Sequence, residues 1–352
     1  MTKRSWATIY AVVCAVGMLA GCITVFVCAW GEDTPTLVRA VFGIILGFIV
    51  APIFHELGHI IFAKTANMCV VYSKFFCFKL VRKGKRLSLR FATPFAADET
   101  QVVPKTGGDM RRRTIGYALG GLVFSAIFLL VNLIGALCFS TQYIFWGVLP
   151  YAAYLFLLNA APFEYASGKT DMLVYMGIKH GEPSEKTMLS AMEIFGRLYA
   201  GEHYTQIDTS LFFDTPQLAE DEPLYAVMLD LRYRYYLEKN ELQNAADCLN
   251  RLVVSQEYLT SNDREKLAGE CVYMHALSGD YECAEECGKL CREYLSQNHA
   301  TAKRILAAYS AAFGKADAVK QLKLQAEQAL KQETIEGNAV FERILLSRIP
   351  NA

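Results

Sequence analysis

Two histidines and a glutamate stand together in an apolar part of the sequence. The stretch Phe54 to Ile60 reads Phe-His-Glu-Leu-Gly-His-Ile, which makes His55, Glu56 and His59 an HExxH motif. Residues four apart lie on the same face of a helix, so both imidazoles can bind one metal ion. Zinc held by two histidines and a third protein ligand keeps a position for water, and a neighbouring carboxylate can take that water's proton. The pattern predicts a hydrolytic zinc site.

The surroundings of the motif favour a functional site over a chance match. Between Val41 and Ala63 the only polar residues are those of the motif itself. Ionisable groups inside a membrane span cost roughly 2.5 to 3.5 kcal/mol each and persist where they have a role. We therefore expect His55 and His59 to bind zinc and Glu56 to act as the catalytic base.

The distribution of apolar residues predicts membrane spans. The 352 residues are 53% hydrophobic and carry no net charge, so bulk charge points to no partner. Four segments, 6–30, 38–66, 114–139 and 143–161, are long enough to cross a hydrocarbon core of about 30 Å. The first continues well beyond Cys22, so we interpret it as a retained span; a lipoprotein-type cleavage before Cys22 is the alternative.

This pattern is typical of an α-helical integral membrane protein with about four transmembrane helices, for which the lipid bilayer is the surrounding medium. We predict an N-terminal helix and loop at 1–36, a membrane-embedded core at 37–180, and a C-terminal α-helical domain at 181–352.

Residues 67–113 differ in composition from the flanking spans. Val70–Leu80 and Arg86–Phe95 are rich in aromatic and β-branched residues and are separated by Lys83-Gly84-Lys85, so a small β-hairpin is predicted. The region contains eleven Lys and Arg residues against three acidic ones. The positive-inside rule makes it cytoplasmic, and both chain termini with it. We prefer this explanation to nucleic-acid binding and expect no nucleic-acid partner.

A third zinc ligand has to come from the sequence after the fourth span. Pro162 and Gly168 interrupt the helix there, and Asp171 begins a new helical stretch. Asp171 is the preferred ligand. Two alternatives stay open: Asp171 is only the N-cap of that helix, or Glu164 is the ligand instead.

These motifs resemble those of the site-2 protease family, which comprises intramembrane zinc metalloproteases. The HExxH sequence from His55 to His59 matches the first family motif. Asn159 and Pro162, with Asp171 downstream, resemble the second motif, NxxP followed by Asp-Gly.

The resemblance extends over residues 37–177 and has two departures. Gly120-Gly121 in the third span resemble the glycine-rich segment of the family, and a β-region after the motif helix is also similar. Met172, however, follows Asp171 where the family has glycine, and Asp171 stands twelve residues after Asn159, which is farther than in the compact motif.

The resemblance implies zinc-dependent hydrolysis of peptide bonds in membrane-spanning or membrane-associated proteins. It implies zinc on His55, His59 and Asp171, activation of water by Glu56, and a substrate-binding role for Asn159. The alternatives are a catalytically silent membrane scaffold that binds protein partners, and a transporter with a buried proton relay. The compact size suits a bacterial cell membrane.

The half of the chain after Glu182 is polar, and its pattern is helical. Asn240, Gly279 and Gly314 mark turns that are 39 and 35 residues apart, close to the tetratricopeptide (TPR) period of about 34 residues. We predict a cytoplasmic TPR-like repeat domain that binds a protein partner. An irregular helical bundle is the alternative.

The eleven cysteines contain no CxxC pair, which indicates packing thiols in a reducing compartment. Cys283, Cys287 and Cys291 follow one another at intervals of four, so a soft-metal or redox site there is an open alternative, although no histidine has ligand spacing to them. We expect four histidines to be isolated surface residues: His180, His203, His275 and His299.

Overall fold

The computed structural model describes residues 3–83, 86–93, 99–139, 142–165 and 168–350. These residues form 15 α-helices and six short β-strands. The chain divides into two compact units. The N-terminal unit comprises Met1–Val103 and Asp109–Glu185, and the C-terminal unit comprises Pro104–Gly108 and Lys186–Ala352. The boundary at Glu185 lies five residues after the predicted one.

Four helices of the N-terminal unit are long and apolar enough to cross a membrane. They are α1 (Lys3–Trp30), α2 (Thr34–Thr65), α3 (Met110–Cys138) and α4 (Tyr143–Ala160). The predicted spans agree with these helices to within four residues at every end. Hydropathy and length were therefore sufficient to locate them.

Aspartate caps determine where two of these helices begin. The Asp33 side chain accepts a hydrogen bond from the Thr36 amide at 2.8 Å at the start of α2. Asp109 accepts one from the Arg112 amide at 3.0 Å at the start of α3. Each carboxylate satisfies a backbone donor that the first turn of a helix leaves open.

Glycines allow α2 to pack directly against the backbones of two neighbouring helices. A methyl group on Gly120 of α3 would lie 2.7 Å from the Gly58 carbonyl oxygen of α2. One on Gly147 of α4 would lie 2.6 Å from the Ala40 carbonyl oxygen. Both distances are too short for a real contact, so small residues are required at these crossings. Helix α2 therefore packs closely against both α3 and α4.

A four-stranded sheet follows α2, in the order β3-β2-β1-β4. Its strands are β1 (Met68–Phe75), β2 (Phe78–Lys83), β3 (Arg86–Phe91) and β4 (Glu99–Pro104). Strands β2 and β3 pair antiparallel as the predicted hairpin, with Lys83 opposite Arg86. The turn residues 84–85 and the predicted strand end at Phe95 lie outside the described residues.

The prediction of one continuous strand from Val70 to Leu80 was wrong. The chain turns between β1 and β2, where Phe75 pairs with Phe78 and Phe76 has a φ of 51°. Phenylalanine carries no turn signal of the kind that glycine, proline or asparagine gives, so local composition did not reveal this turn.

Two very short strands, β5 (Glu164–Tyr165) and β6 (Gly168–Lys169), pair antiparallel after α4. Helix α5 (Asp171–His180) follows and ends at Gly181, whose φ of 71° is the left-handed conformation common at helix C-termini. The helix break predicted at Pro162 is therefore present.

From residue 186 onwards, the regular secondary structure of the described residues of the C-terminal unit is helical. The longer segment of this unit begins within α6, at Lys186. Its helices are α6 (Pro183–Tyr199), α7 (Ser210–Phe213), α8 (Pro223–Lys239), α9 (Leu242–Val254), α10 (Ser261–Ser278), α11 (Tyr281–Leu290), α12 (Arg292–Ser296), α13 (Ala300–Ala312), α14 (Ala316–Leu330) and α15 (Glu336–Arg348). The pairs α8–α9, α10–α11 and α13–α14 turn at Asn240, Gly279 and Gly314, the three predicted positions, and all three residues have positive φ.

A buried ion triad joins three helices of this unit. Arg304 of α13 is fully buried; its Nε donates to Glu342 of α15 at 2.8 Å and its Nη2 donates to Glu270 of α10 at 2.6 Å. The guanidinium also lies 4.1 Å from the ring centre of Tyr273. Burial by itself lowers the pKa of Arg304, but Glu270 and Glu342 raise it well above its ordinary value. The arginine is therefore charged.

We predict that Arg304→Met destabilises the protein by about 3–5 kcal/mol, because it leaves Glu270 and Glu342 buried without a counter-charge. Denaturant unfolding of the full chain, followed by circular dichroism, measures the change. Arg343→Met is the control, since Arg343 pairs with Glu327 at the surface with both side chains about half exposed, and such pairs contribute little. Equal effects of the two substitutions would contradict the prediction.

Candidate metal centre

His55 and His59 lie one turn apart on the buried side of α2. They are only 6% and 5% exposed, and their Nε2 atoms are 3.4 Å apart. Both rings are directed at α3, where Gly121 leaves space for them. A methyl group on Gly121 would lie 2.7 Å from His55 Cε1 and closer still to His59 Nε2. The sequence pattern at Gly120-Gly121 did not indicate this contact with the imidazoles.

Helix α3 also binds the other nitrogen of each ring. His59 Nδ1 is 2.9 Å from the carbonyl oxygen of Tyr117, and His55 Nδ1 is 2.9 Å from the hydroxyl of Ser125. A carbonyl oxygen can only accept, so His59 carries a proton on Nδ1. The Nε2 atom of the neutral ring then presents a lone pair, which is how histidine ligands are oriented for a metal ion.

Asp171 completes a triangle of acceptor atoms with the two histidines. Its Oδ2 lies 3.4 Å from Nε2 of His55 and 3.4 Å from Nε2 of His59. This oxygen is buried and has no hydrogen-bond partner. Three corners of a tetrahedron with a centre-to-corner distance of about 2.1 Å, typical of zinc, are about 3.4 Å apart. The three residues therefore fit a zinc ion both in chemistry and in spacing.

The structure distinguishes between the alternatives for the third ligand. The N-cap of α5 is Thr170, whose hydroxyl accepts a hydrogen bond from the Leu173 amide at 3.3 Å, so the N-cap interpretation of Asp171 was wrong. Glu164 is exposed on β5 and belongs to neither of the metal-ligand groups found in the described residues. Asp171 is the carboxylate that the fold brings to the histidines.

The short hairpin β5–β6 explains the long spacing between Asn159 and Asp171. Just beyond it, the Thr170 amide donates to the Phe163 carbonyl at 3.1 Å and the Thr170 hydroxyl donates to the Ala161 carbonyl at 2.7 Å. These bonds return the chain to the end of α4. The extra residues thus form a side loop, and Asp171 still reaches the histidines.

Glu56 is buried beside His55 and is fixed by the sheet. Its Oε2 accepts a hydrogen bond of 2.5 Å from the Thr100 hydroxyl of β4. The Ser73 hydroxyl of β1 lies 2.8 Å from the same Thr100 oxygen. Because Thr100 gives its only hydroxyl proton to Glu56, Ser73 is the donor to Thr100. The Tyr117 hydroxyl donates to the Thr100 carbonyl, which connects β4 to α3.

Four residues around the centre were not predicted as site residues from the sequence: Ser73, Thr100, Tyr117 and Ser125. Each is a single polar residue with no motif around it, and each acts through a contact far away in the chain. Asn159 was predicted, and it lies half-buried near the end of α4 with its amide nitrogen donating to the Leu155 carbonyl at 3.2 Å. If Asn159 binds substrate, its amide oxygen is the atom that would accept a hydrogen bond.

Three histidines of the C-terminal unit have specific partners, so the prediction that they are isolated was wrong. His203 pairs with the buried carboxylate of Glu238. His299 caps α13 by accepting a hydrogen bond from the amide of Ala302 at 3.1 Å. His275 lies near an aspartate and a cysteine in the turn between α10 and α11.

No protein-family model, curated protein or solved structure matches the chain. The interpretation of the site therefore depends on its own geometry. His55, His59 and Asp171 define a candidate centre for a divalent cation, and Glu56 is a buried carboxylate in the same helical turn.

We predict that Gly121→Ala abolishes metal binding at this centre, because the added methyl group displaces both imidazoles from Asp171. Zinc per chain in detergent-purified protein measures this. Gly116→Ala, also on α3, is the matched control, since nothing lies within 4 Å of a methyl group there. The control should retain the metal, and full zinc content in Gly121→Ala would disprove the steric argument.

Proposed function

We propose that this chain is an integral-membrane zinc metallopeptidase of the site-2 protease type, which hydrolyses peptide bonds of membrane-spanning or membrane-associated proteins. The observation that carries the proposal is the triangle of acceptor atoms from His55, His59 and Asp171, with sides of 3.4 Å. The buried carboxylate of Glu56 next to His55 adds the base that hydrolysis needs.

The surface of the apolar helices supports membrane insertion. Val13, Ile23 and Val27 of α1 are about 60% exposed, although a soluble protein buries most side chains of this kind. A bilayer would cover them. The excess of basic residues in 67–113 supports an orientation with that region and both termini on the cytoplasmic side.

Each residue of the centre has a role in the proposed reaction. His55, His59 and Asp171 would hold zinc, which polarises a water molecule and lowers its pKa towards about 7 when bound. Glu56 takes a proton from the attacking water and later gives it to the leaving amine nitrogen. Thr100 keeps the carboxylate of Glu56 directed by its hydrogen bond of 2.5 Å.

The sheet and Asn159 supply the proposed contacts to substrate. Strand β4 is an edge strand and carries Thr100, so an extended segment paired to this edge would lie near Glu56. The amide oxygen of Asn159 can accept a hydrogen bond from a substrate backbone amide. A substrate helix has to unwind to make such contacts, since its own amides are otherwise paired.

For the C-terminal unit we propose a TPR-like domain that binds a protein partner on the cytoplasmic side. Three helix pairs with turns at Asn240, Gly279 and Gly314 support this interpretation. A catalytically silent scaffold remains the competing function for the whole chain, and it differs from the enzyme in metal content and activity.

The decisive experiment compares bound zinc per chain and cleavage of a model transmembrane substrate in purified variants. We expect one zinc at the centre in the wild type, and its loss with His55→Ala or Asp171→Ala. Glu164→Ala is the matched control and should retain the metal, because Glu164 is exposed on β5. Glu56→Gln should keep zinc but lose activity by about 10²–10⁴-fold, as expected for a general base.

Each outcome of this experiment supports or rejects one part of the proposal. Wild-type protein without zinc, purified without chelators, would reject the enzyme and leave the scaffold. Zinc that survives in Asp171→Ala but disappears in Glu164→Ala would move the third ligand to Glu164. Full activity of Glu56→Gln would remove Glu56 from the mechanism.

We also predict that Thr100→Val lowers the rate of cleavage by about 10–100-fold without loss of zinc, because Glu56 loses its directing donor. Thr100→Ser keeps the hydroxyl and should retain most of the activity. Thermal unfolding of both variants controls for a purely structural effect. If valine and serine lower the rate equally, the hydroxyl does not position Glu56.

A further inference from the structure

A second group of metal-ligand side chains lies in the C-terminal unit, in the turn from α10 to α11. His275 is in the last turn of α10, Asp280 is the N-cap of α11, and Cys283 is in the first turn of α11. Gly279 makes the turn between them tight, with a φ of 77°. One ligand atom from each of the three side chains lies within 4.8 Å of the others.

The two oxygens of Asp280 have different partners. Oδ1 accepts a hydrogen bond from the Cys283 amide at 3.2 Å, which is the ordinary N-cap interaction. Oδ2 lies 3.2 Å from Nδ1 of His275. Capping alone requires one oxygen and an aspartate, but it does not require a histidine and a cysteine beside it. The second oxygen therefore places two of the three candidate ligand atoms next to each other.

We propose that His275, Asp280 and Cys283 form a binding site for a divalent metal ion of the zinc class. The donors are a ring nitrogen, a carboxylate oxygen and a sulfur, which is a set that zinc accepts. A thiolate, a carboxylate and a neutral imidazole carry two negative charges, so one dication makes the site neutral. The side chains of His275 and Asp280 are 37% and 45% exposed, so water has access to the fourth position.

The metal ion joins the end of α10 to the start of α11 across Gly279. Its donor set differs from that of the first centre, which contains no sulfur. The neighbouring thiols are engaged elsewhere: Cys287 is hydrogen-bonded to Cys271 of α10, and the buried Cys291 lies 3.3 Å from the carbonyl oxygen of Cys287. This inference does not depend on the proposed peptidase function.

Titration of the full chain in detergent with Co²⁺, under reducing conditions, tests the site. Cobalt bound to a thiolate gives a charge-transfer band in the near ultraviolet, and the first centre cannot produce it. We expect the band in the wild type and in His55→Ala, its loss in Cys283→Ser, and its displacement by Zn²⁺. Cys287→Ser, one turn further along α11, is the matched control and should retain the band.

Asp280→Asn separates binding from folding, because asparagine caps a helix as well as aspartate does but lacks the charge. Its affinity for Co²⁺ should fall by at least about tenfold, with the helix content unchanged by circular dichroism. A band that survives Cys283→Ser, an undiminished affinity of Asp280→Asn, or no band in the wild type would overturn the proposal.

Discussion

Three acceptor atoms that face one another inside an apolar helix bundle impose the strongest constraint on the N-terminal unit. Lone pairs of His55, His59 and Asp171 at 3.4 Å repel unless a metal ion or a proton lies between them. The surrounding contacts keep the three groups in place: Tyr117 and Ser125 bind the rings from α3, and the hydrogen bonds of Thr170 close the loop before Asp171. These contacts from α3 and from the loop before α5 keep the three acceptor atoms close to one another.

The same constraint explains where small residues occur. Gly58 and Gly120 allow the backbones of α2 and α3 to touch, and Gly121, one residue further on, gives the imidazoles their space. Adjacent glycines therefore meet both the packing requirement of the two helices and the steric requirement of the imidazoles. A larger residue at Gly58 or Gly120 would move α3, and with α3 it would move the hydrogen-bond partners of both Nδ1 atoms.

The sequence was informative where the chemistry depends on local spacing, and uninformative where it depends on distant contacts. Four apolar helices and the pair His55 and His59 follow from hydropathy and a spacing of four. The choice between Asp171 and Glu164 required the fold, because only tertiary structure shows that Asp171 lies 3.4 Å from both imidazoles and that Glu164 is exposed. Arg304 could not be predicted as buried, since a charge on a helix is normally solvated and its partners lie 34 and 38 residues away.

Charge balance gives a further argument for a dication at the first centre. Ionised Glu56 and Asp171 would place two negative charges beside neutral imidazoles in an apolar bundle, which is costly without compensation. Two protons or one divalent cation can neutralise them. A single proton on one Nε2 atom serves only one of the 3.4 Å contacts among the three atoms. The His59 proton is already given to the Tyr117 carbonyl. One dication bound by all three atoms would satisfy the three contacts together, so the charge balance supports the proposed centre.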